Sequence, residues 1–202
     1  MQAKRDKAFG QDHALTIVDR FGTWLSERQI TRWTRLEGKA VGDFGCGYAA
    51  RLSARFSDKV QALWLVDVAL DPALASRPNT RCVVGSLPDA AQQVPTGALD
   101  VAMCVSVLEH LHDRRGMLKQ LHRATKPGGI VLINVPSWRG KTFLELSAFR
   151  LGMSPKAEMD DHKIYYDVKD LWPELVAAGF LPSHIRCFSH KLGLNTFAVC
   201  ER

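Results

Sequence analysis

The sequence lacks several features that would place the protein in a membrane or outside the cell. No run of about 18 apolar residues occurs in its 202 residues, which argues against a transmembrane helix. The first residues carry no apolar core of the kind that directs secretion. Internal repeats and low-complexity tracts are missing as well. We therefore expect a cytoplasmic protein without a membrane span, whose length suffices to bury a full core.

Cysteine is scarce, and its spacing is uninformative for disulfides or metals. There are 5 cysteines, an odd number, and no pair has the C-x-x-C spacing. Four of them lie in apolar runs typical of buried strands. This pattern predicts free, reduced cysteines in the core, and it argues against a zinc site built on cysteine.

Acidic residues are nearly missing between residues 114 and 150, where Glu145 stands alone among many lysines and arginines. The net charge of the chain is +6. An anionic partner would explain this excess, and so would a solvated helix face with its loops, which we favour. No arginine-rich run with interleaved aromatics is present, so nucleic-acid binding is not expected.

Hydrophobic periodicity predicts helices alternating with strands. Between residues 14 and 30, apolar residues recur about every 3.6 residues, which predicts a helix. We assign this helix to an N-terminal helical extension over residues 1–38. Further helices are predicted at residues 49–57, 112–125 and 168–178. Short apolar runs predict strands at residues 40–44, 62–67, 81–84, 99–105, 130–135, 181–188 and 195–201.

The order of these elements predicts the fold class. Buried strands that alternate with helices form a parallel sheet with helices on both faces. The last two strands have no helix between them, so they should pair antiparallel. We expect a Rossmann-like, doubly wound α/β fold over residues 39–202, with a mostly parallel seven-stranded sheet and an antiparallel C-terminal hairpin. A helical cap insertion is expected near residues 139–165.

A glycine loop follows the first predicted strand, where open parallel sheets bind their ligands. Gly45 and Gly47 allow a tight turn and a close approach of the backbone to a ligand. Asp67 ends the second strand, where a carboxylate can accept hydrogen bonds from a ribose diol. The spacing Gly45-x-Gly47-x-x-Ala50 also fits the dinucleotide pattern, and a ligand-free turn stays open as well.

Asp43 favours one kind of ligand at this loop. It lies two residues before Gly45, where its carboxylate would repel a pyrophosphate. A ligand with a sulfonium and an ammonium group would instead be attracted. S-adenosylmethionine carries both groups, so we favour a cationic cofactor over an anionic one.

Several motifs in order along the chain carry a family resemblance, which runs from about residue 39 to residue 202. They are Val41 to Gly47, Leu65-Val66-Asp67, Leu99 to Ala102, Val107-Leu108-Glu109-His110-Leu111, and Leu121 to Gly129. The first resembles motif I of class I S-adenosylmethionine-dependent methyltransferases, and the others resemble later motifs of the small-molecule branch (type 11/12-like) of that family.

The resemblance implies S-adenosylmethionine as methyl donor and S-adenosylhomocysteine as product. It implies that the cofactor is bound by Asp43, Gly45, Cys46, Gly47, Asp67, Val68, Ser86, Leu87, Val105, Ser106 and His110. Two positions depart from the family pattern, because Ala49 replaces a common glycine and Ser86 replaces an aspartate that contacts adenine. A hydroxyl bonds the adenine amino group more weakly than a carboxylate, which leaves the affinity for the cofactor open but not its identity.

An oxygen acceptor needs a group that takes its proton. We predict His162 as this base or as an orienting group, because carboxylates beside it at Asp160 and Asp161 would raise its basicity. His110 is a second catalytic candidate, although a structural role is equally open for it. These histidines could also gather a metal with Glu109 and Asp161. Neighbouring side chains rarely share one metal, so we expect none.

The acceptor pocket is expected around Trp138, Arg139, Tyr165 and Tyr166, with a core role open for the tyrosines and a solvated loop open for Arg139. We expect a small-molecule, saccharide-linked or lipid-linked acceptor, methylated on oxygen or nitrogen. The amphipathic residues 143–151 would suit a peripheral membrane contact or a dimer contact. The oligomeric state is open between monomer and homodimer.

Two other functions compete with methyl transfer. An NAD-dependent oxidoreductase would use the same glycine spacing, and Asp43 argues against it. A methyltransferase-like binding protein without turnover is the second alternative, which the departures at Ala49 and Ser86 keep open.

Overall fold

The computed structural model describes residues 7–11, 17–142 and 164–202. The described α-helices are α1 (Ile17–Trp33), α2 (Arg114–Ala124) and α3 (Val168–Ala177). The described strands are β1 (Ala40–Phe44), β2 (Ala62–Asp67), β3 (Thr80–Val84), β4 (Leu99–Val105), β5 (Thr125–Pro136), β6 (Ile185–His190) and β7 (Asn195–Glu201).

The strands form a seven-stranded sheet in the order β3-β2-β1-β4-β5-β7-β6. Strands β1 to β5 are parallel, whereas β7 runs antiparallel between β5 and β6. The predicted fold class is therefore confirmed, including the C-terminal hairpin. The strand order reverses between β1 and β4, which puts the switch point of the sheet beside the turn that follows β1.

Apolar side chains cover both faces of the sheet. On one face α2 packs on β4 and β5 and buries Leu121, and α3 packs on β6 and on α2 and buries Leu171. On the other face α1 buries Ile30, and the Trp33 ring stacks on Phe188 of β6 with centroids 5.7 Å apart. Helix α1 thus packs directly on the sheet, although Phe21 and Trp24, which share the apolar period of residues 14–30, are exposed.

Two predicted elements are wrong or shortened. Residues 49–57 form turns and a 3₁₀ helix (Ser53–Arg55) in place of the predicted α-helix, and Ala50 has a φ of +43°, which interrupts a helical path. The strand predicted from Leu181 begins only at Ile185, because Pro182 opens a 3₁₀ turn and proline donates no hydrogen bond to a sheet.

Two further expectations concern the cysteines and the predicted cap insertion. All five cysteines are free; Cys104 and Cys200 are buried, whereas Cys46, Cys82 and Cys187 are half-buried. A helix begins at Trp138, but most of the predicted cap insertion lies outside the described residues, as do the amphipathic residues 143–151. The boundary between residues 38 and 39 stays a prediction.

Candidate active site

The turn after β1 is shaped by two glycines in the left-handed region. Gly45 and Gly47 have φ values of +78° and +77°. The Gly45 N–H donates to the Val66 carbonyl at 2.7 Å, which ties the turn to β2. A Cβ at Gly45 would overlap the Val107 side chain, and one at Gly47 would lie 3.1 Å from the Phe9 carbonyl oxygen. The loop therefore leaves no room for side chains at these two positions.

Asp67 fixes the loop from the neighbouring strand. Its Oδ2 accepts the Gly47 N–H at 2.7 Å, and its Oδ1 accepts the Val68 N–H at 2.7 Å. The residue is 9% exposed at the carboxyl end of β2. An ionised carboxylate has about four acceptor positions, so backbone groups and ligand hydroxyls can share it.

Asp43 lies beneath the same loop and is buried, with 2% of its surface exposed. The Ser53 hydroxyl donates a hydrogen bond to its Oδ2. Burial raises the pKa of Asp43 to about 7; the Ser53 bond opposes this rise and the charge of Asp67 adds to it. Burial and both carboxylates likewise raise the pKa of the Cys46 thiol. Two acidic side chains thus lie under one loop, which makes the electrostatic potential of the site negative.

The end of β3 lies beside Asp67. The Gly85 N–H donates to the Asp67 carbonyl at 2.9 Å. Ser86 follows, half-buried, with its carbonyl accepting the Ala90 N–H at 2.8 Å, and Leu87 packs on the core. The structure therefore brings the residues predicted to flank adenine to the edge that carries the glycine loop.

The end of β4 contributes a strained residue to this edge. Ser106 is exposed and has a φ of +56°, which is unusual outside glycine. Asn134 of β5 holds it, since the Ser106 N–H donates to the Asn134 carbonyl at 2.7 Å and the Asn134 amide donates to Ser106 Oγ at 3.5 Å. A 3₁₀ helix (Leu108–His110) follows, in which Glu109 is buried and His110 is half-buried. His110 therefore follows the same strand end as the predicted cofactor residues Val105 and Ser106.

The predicted acceptor residues separate into two groups. Trp138 is exposed; its indole N–H donates to Asp170 at 3.2 Å, and its ring lies 5.7 Å from that of Tyr165. Arg139 is exposed too. Tyr166 is buried in the core cluster, and burial raises the pKa of its hydroxyl to about 12, so it takes the core role that the sequence left open. His162 lies outside the described residues.

Two residues at this edge escaped the sequence analysis. Phe9 accepts a hydrogen bond from the Tyr48 N–H at 3.0 Å, so the N-terminal segment reaches the glycine loop. Lys191 lies in the turn between β6 and β7, where its side chain points back into the protein. Both approach the site from far along the chain, and neither belongs to a motif whose spacing could have indicated it.

A cavity of about 460 Å³ lies at the opposite edge of the sheet. It opens at the amino ends of β1, β2 and β4, where Arg81 stacks on Trp64 and Lys126 pairs with Asp100. Parallel sheets bind their ligands at the carboxyl ends of the strands, so we assign the site to the glycine-loop edge. In the described part of the chain, no group of three or more metal-binding side chains comes together.

Comparison with known proteins shows the family to which the chain belongs. The model of a methyltransferase domain family matches residues 16–184, most of the chain. The chain belongs to this family. This match confirms the family, class I S-adenosylmethionine-dependent methyltransferases, which the motifs from Val41 to Gly129 predicted. An NAD-dependent oxidoreductase does not fit this family.

Curated relatives include O-methyltransferases. The ubiquinone biosynthesis O-methyltransferase of Pseudomonas aeruginosa PAO1 is 29% identical over 129 residues, which cover 60% of this chain and 52% of that protein. A probable S-adenosylmethionine-dependent methyltransferase of Mycolicibacterium smegmatis is 30% identical over 105 residues, or 51% of this chain and 40% of that protein. This methyltransferase thus matches only about half the length of these relatives.

Solved structures share its fold. A methyltransferase from Archaeoglobus fulgidus superposes with a TM-score of 0.63 at 13% identity, covering 93% of this chain and all of that one. An O-methyltransferase family protein from Burkholderia thailandensis gives 0.63 at 17% identity, covering 92% of this chain and 56% of that one. The CurJ carbon methyltransferase gives 0.58 at 12% identity, covering 85% and 50%. Because oxygen and carbon methyltransferases are both among these neighbours, the fold leaves the acceptor atom open.

Proposed function

We propose that this methyltransferase methylates a hydroxyl oxygen of a small-molecule acceptor, with its cofactor bound over Asp43 and Asp67. The observation that carries the cofactor site is the buried carboxylate of Asp43 beneath the glycine loop, next to a second carboxylate. The relatives named O-methyltransferases support oxygen as the acceptor atom. Nitrogen is the second candidate, and a saccharide-linked or lipid-linked acceptor fits the same chemistry.

The electrostatics of the loop fit a cationic cofactor. Burial and the charge of Asp67 disfavour ionisation of Asp43. A ligand with positive charge offsets both effects, whereas a pyrophosphate would add to the repulsion. Gly45 and Gly47 expose backbone that a side chain would cover, so the ligand can approach closely.

In this proposal, the predicted cofactor residues contact different parts of the cofactor. Asp67 accepts the ribose hydroxyls while it holds Gly47 in place. Ser86 and Leu87 flank the adenine, Val105 and Ser106 lie beneath the cofactor, and His110 follows them at the same strand end. When bound, the cofactor supplies a methyl group activated by a sulfonium. The protein then aligns the acceptor oxygen with that methyl group and keeps water away.

The proton of an acceptor hydroxyl must leave during transfer. His110 is the described candidate for this task, because it follows β4 at the cofactor edge and is half-buried. His162 stays a candidate outside the described residues. No described helix combines the length and hydropathy needed to cross a bilayer. A cytoplasmic enzyme, as monomer or homodimer, is part of the proposal.

Replacing Asp67 with alanine tests the cofactor site. We expect the unchanged protein to bind S-adenosylhomocysteine and not NADH in titration calorimetry. Asp67→Ala should weaken that binding by roughly ten- to hundredfold, because it removes a charged acceptor that also fixes the loop. Asp58→Ala, an exposed acid outside the site, serves as the control and should bind normally. Binding of NADH alone, or equal affinity in Asp67→Ala, would contradict the proposal.

A further inference from the structure

The turn between β6 and β7 lies at the acceptor side of the proposed site. Strand β7 begins at Asn195 opposite Pro136, the last residue of β5, so the turn stands at the carboxyl edge of the parallel strands. Lys191 and Leu192 have φ values of +50° and +59°. Two successive left-handed residues other than glycine are strained, and such strain persists only where the surroundings hold it.

The surroundings of this turn do hold it. The Ser137 hydroxyl donates to the Gly193 carbonyl at 2.6 Å, and the Ser137 N–H donates to the Leu194 carbonyl at 3.0 Å. Gly140 packs so closely on the same turn that a Cβ there would overlap the Leu194 carbonyl oxygen. The turn is therefore a fixed part of the site and not a freely moving loop.

The two strained residues send their side chains in opposite directions. Leu192 is 95% exposed, whereas Lys191 folds back toward α1, where its Nζ would lie 3.6 Å from a Cβ on Gly22. Burial lowers the pKa of Lys191 to about 8, and the nearby charge of Glu109 opposes this fall. The amine thus lies near α1 and its own turn, and the charge of Glu109 in the segment after β4 acts on it.

No oxygen of the described residues accepts a hydrogen bond from this amine or forms an ion pair with it. Lys191 is half-buried, so its ammonium has lost part of its hydration, and an acceptor from a ligand would replace it. Glu109 is the acid that acts on it, and His190 beside it has its pKa lowered to about 4 by burial and by Lys191. The guanidinium of Arg139 packs on Gly193 of the same turn and adds a second cation.

We propose that Lys191 binds an anionic group of the methyl acceptor, a carboxylate or a phosphate, and so determines the class of acceptor. This inference rests on the proposed function, because it assumes that the acceptor lies beside Ser106. An anion would supply the hydrogen-bond acceptors that the amine lacks, and Arg139 would add to the attraction at the entrance. The acceptor would therefore be an acid that also carries a hydroxyl.

The test compares anionic and neutral probes on the protein saturated with S-adenosylhomocysteine. The probes are dihydroxybenzoate, its uncharged methyl ester and phenyl phosphate, each titrated by calorimetry. We expect the unchanged protein to bind at least one anion more tightly than the ester by roughly tenfold or more. The two anions distinguish a carboxylate acceptor from a phosphate acceptor.

Variants assign the preference to Lys191. Lys191→Met should abolish it, Lys191→Arg should restore it, and Lys119→Met, an exposed lysine on α2, should leave it unchanged. Glu109→Gln should strengthen anion binding, which keeps the test decisive if Lys191→Met does not fold. Equal binding of anions and ester, binding of neither anion, or a preference that survives in Lys191→Met would overturn the inference. S-adenosylhomocysteine binding is measured first, and its loss in the unchanged protein would count against the proposed function instead.

Discussion

Replacing Asp43 with asparagine should stabilise the cofactor-free protein at alkaline pH and weaken its binding of S-adenosylmethionine. The folded pKa of Asp43 is about 7, well above its ordinary value of 3.8. Between these two values the folded protein keeps a proton that the unfolded chain releases. The free energy of unfolding therefore falls as the pH rises through this range.

The expected size of this effect follows from the shift. For the unchanged protein, Asp43 should remove roughly 2 to 3 kcal/mol of stability between about pH 5 and about pH 8. Asp43→Asn carries no such group, so its free energy of unfolding should lack this loss. Urea denaturation at the two pH values measures the difference. The exposed Asp58→Asn is the control, and the same pH dependence in Asp43→Asn as in the unchanged protein would contradict the assignment.

Cofactor binding should show the opposite dependence. A cationic ligand favours the ionised form of Asp43, so binding releases a proton when the free protein holds one. The affinity for S-adenosylmethionine should therefore rise with pH up to about 7, by as much as tenfold per pH unit below that value. Asp43→Asn should bind more weakly and lose this dependence in calorimetry. A carboxylate that lowers stability until its ligand arrives is typical of a binding site.

Replacing Gly45 with alanine should lower the free energy of unfolding by about 3 kcal/mol and abolish S-adenosylhomocysteine binding. Alanine is strained at a φ of +78°, and its Cβ would also overlap Val107. Since the Gly45 N–H bonds to Val66 of β2, any shift of the turn also displaces it from Asp67. Denaturation and calorimetry on the same preparations measure both effects.

Two further variants separate strain from overlap. Gly38 has a φ of +69° with no atom within 4 Å of an added Cβ. Gly38→Ala should therefore lower the free energy of unfolding only by the cost of backbone strain, about 1 kcal/mol. Adding Val107→Ala to Gly45→Ala should recover part of the loss. If Gly38→Ala and Gly45→Ala lose equal stability, the contact with Val107 has no role in shaping the loop.

Those parts of the site that depend on local sequence were predictable. Gly45, Gly47 and Asp67 follow apolar runs, and the rule that parallel sheets bind ligands at strand ends places them together. The failures need tertiary information. The predicted helix at residues 49–57 was wrong because the backbone turns at Ala50 where it leaves the loop. The spacing of apolar residues does not indicate such a turn. On α1, Phe21 and Trp24 keep the helical period but lie outside the contact with the sheet.

The environment of Lys191 in the site could not be predicted from the sequence either. Its charge and its neighbours in sequence are those of an ordinary surface turn. The strained backbone, the bonds from Ser137 and the approach of Glu109 arise only when β7 inserts beside β5. The sequence could therefore predict the cofactor edge of the site, whereas the group that we propose to select the acceptor emerges from packing between distant segments.

The position of β7 has a consequence for folding of the chain during its synthesis on the ribosome. Strand β6 is synthesised before β7, yet it reaches the sheet only through β7, which bonds to β5 on its other side. Within the described sheet, the outer edge of β5 therefore has no strand partner until β7 is available to pair with it. The hairpin that carries Lys191 is thus the last part of the described sheet to pair during synthesis, so the glycine-loop edge can form before the turn that we propose to bind the acceptor.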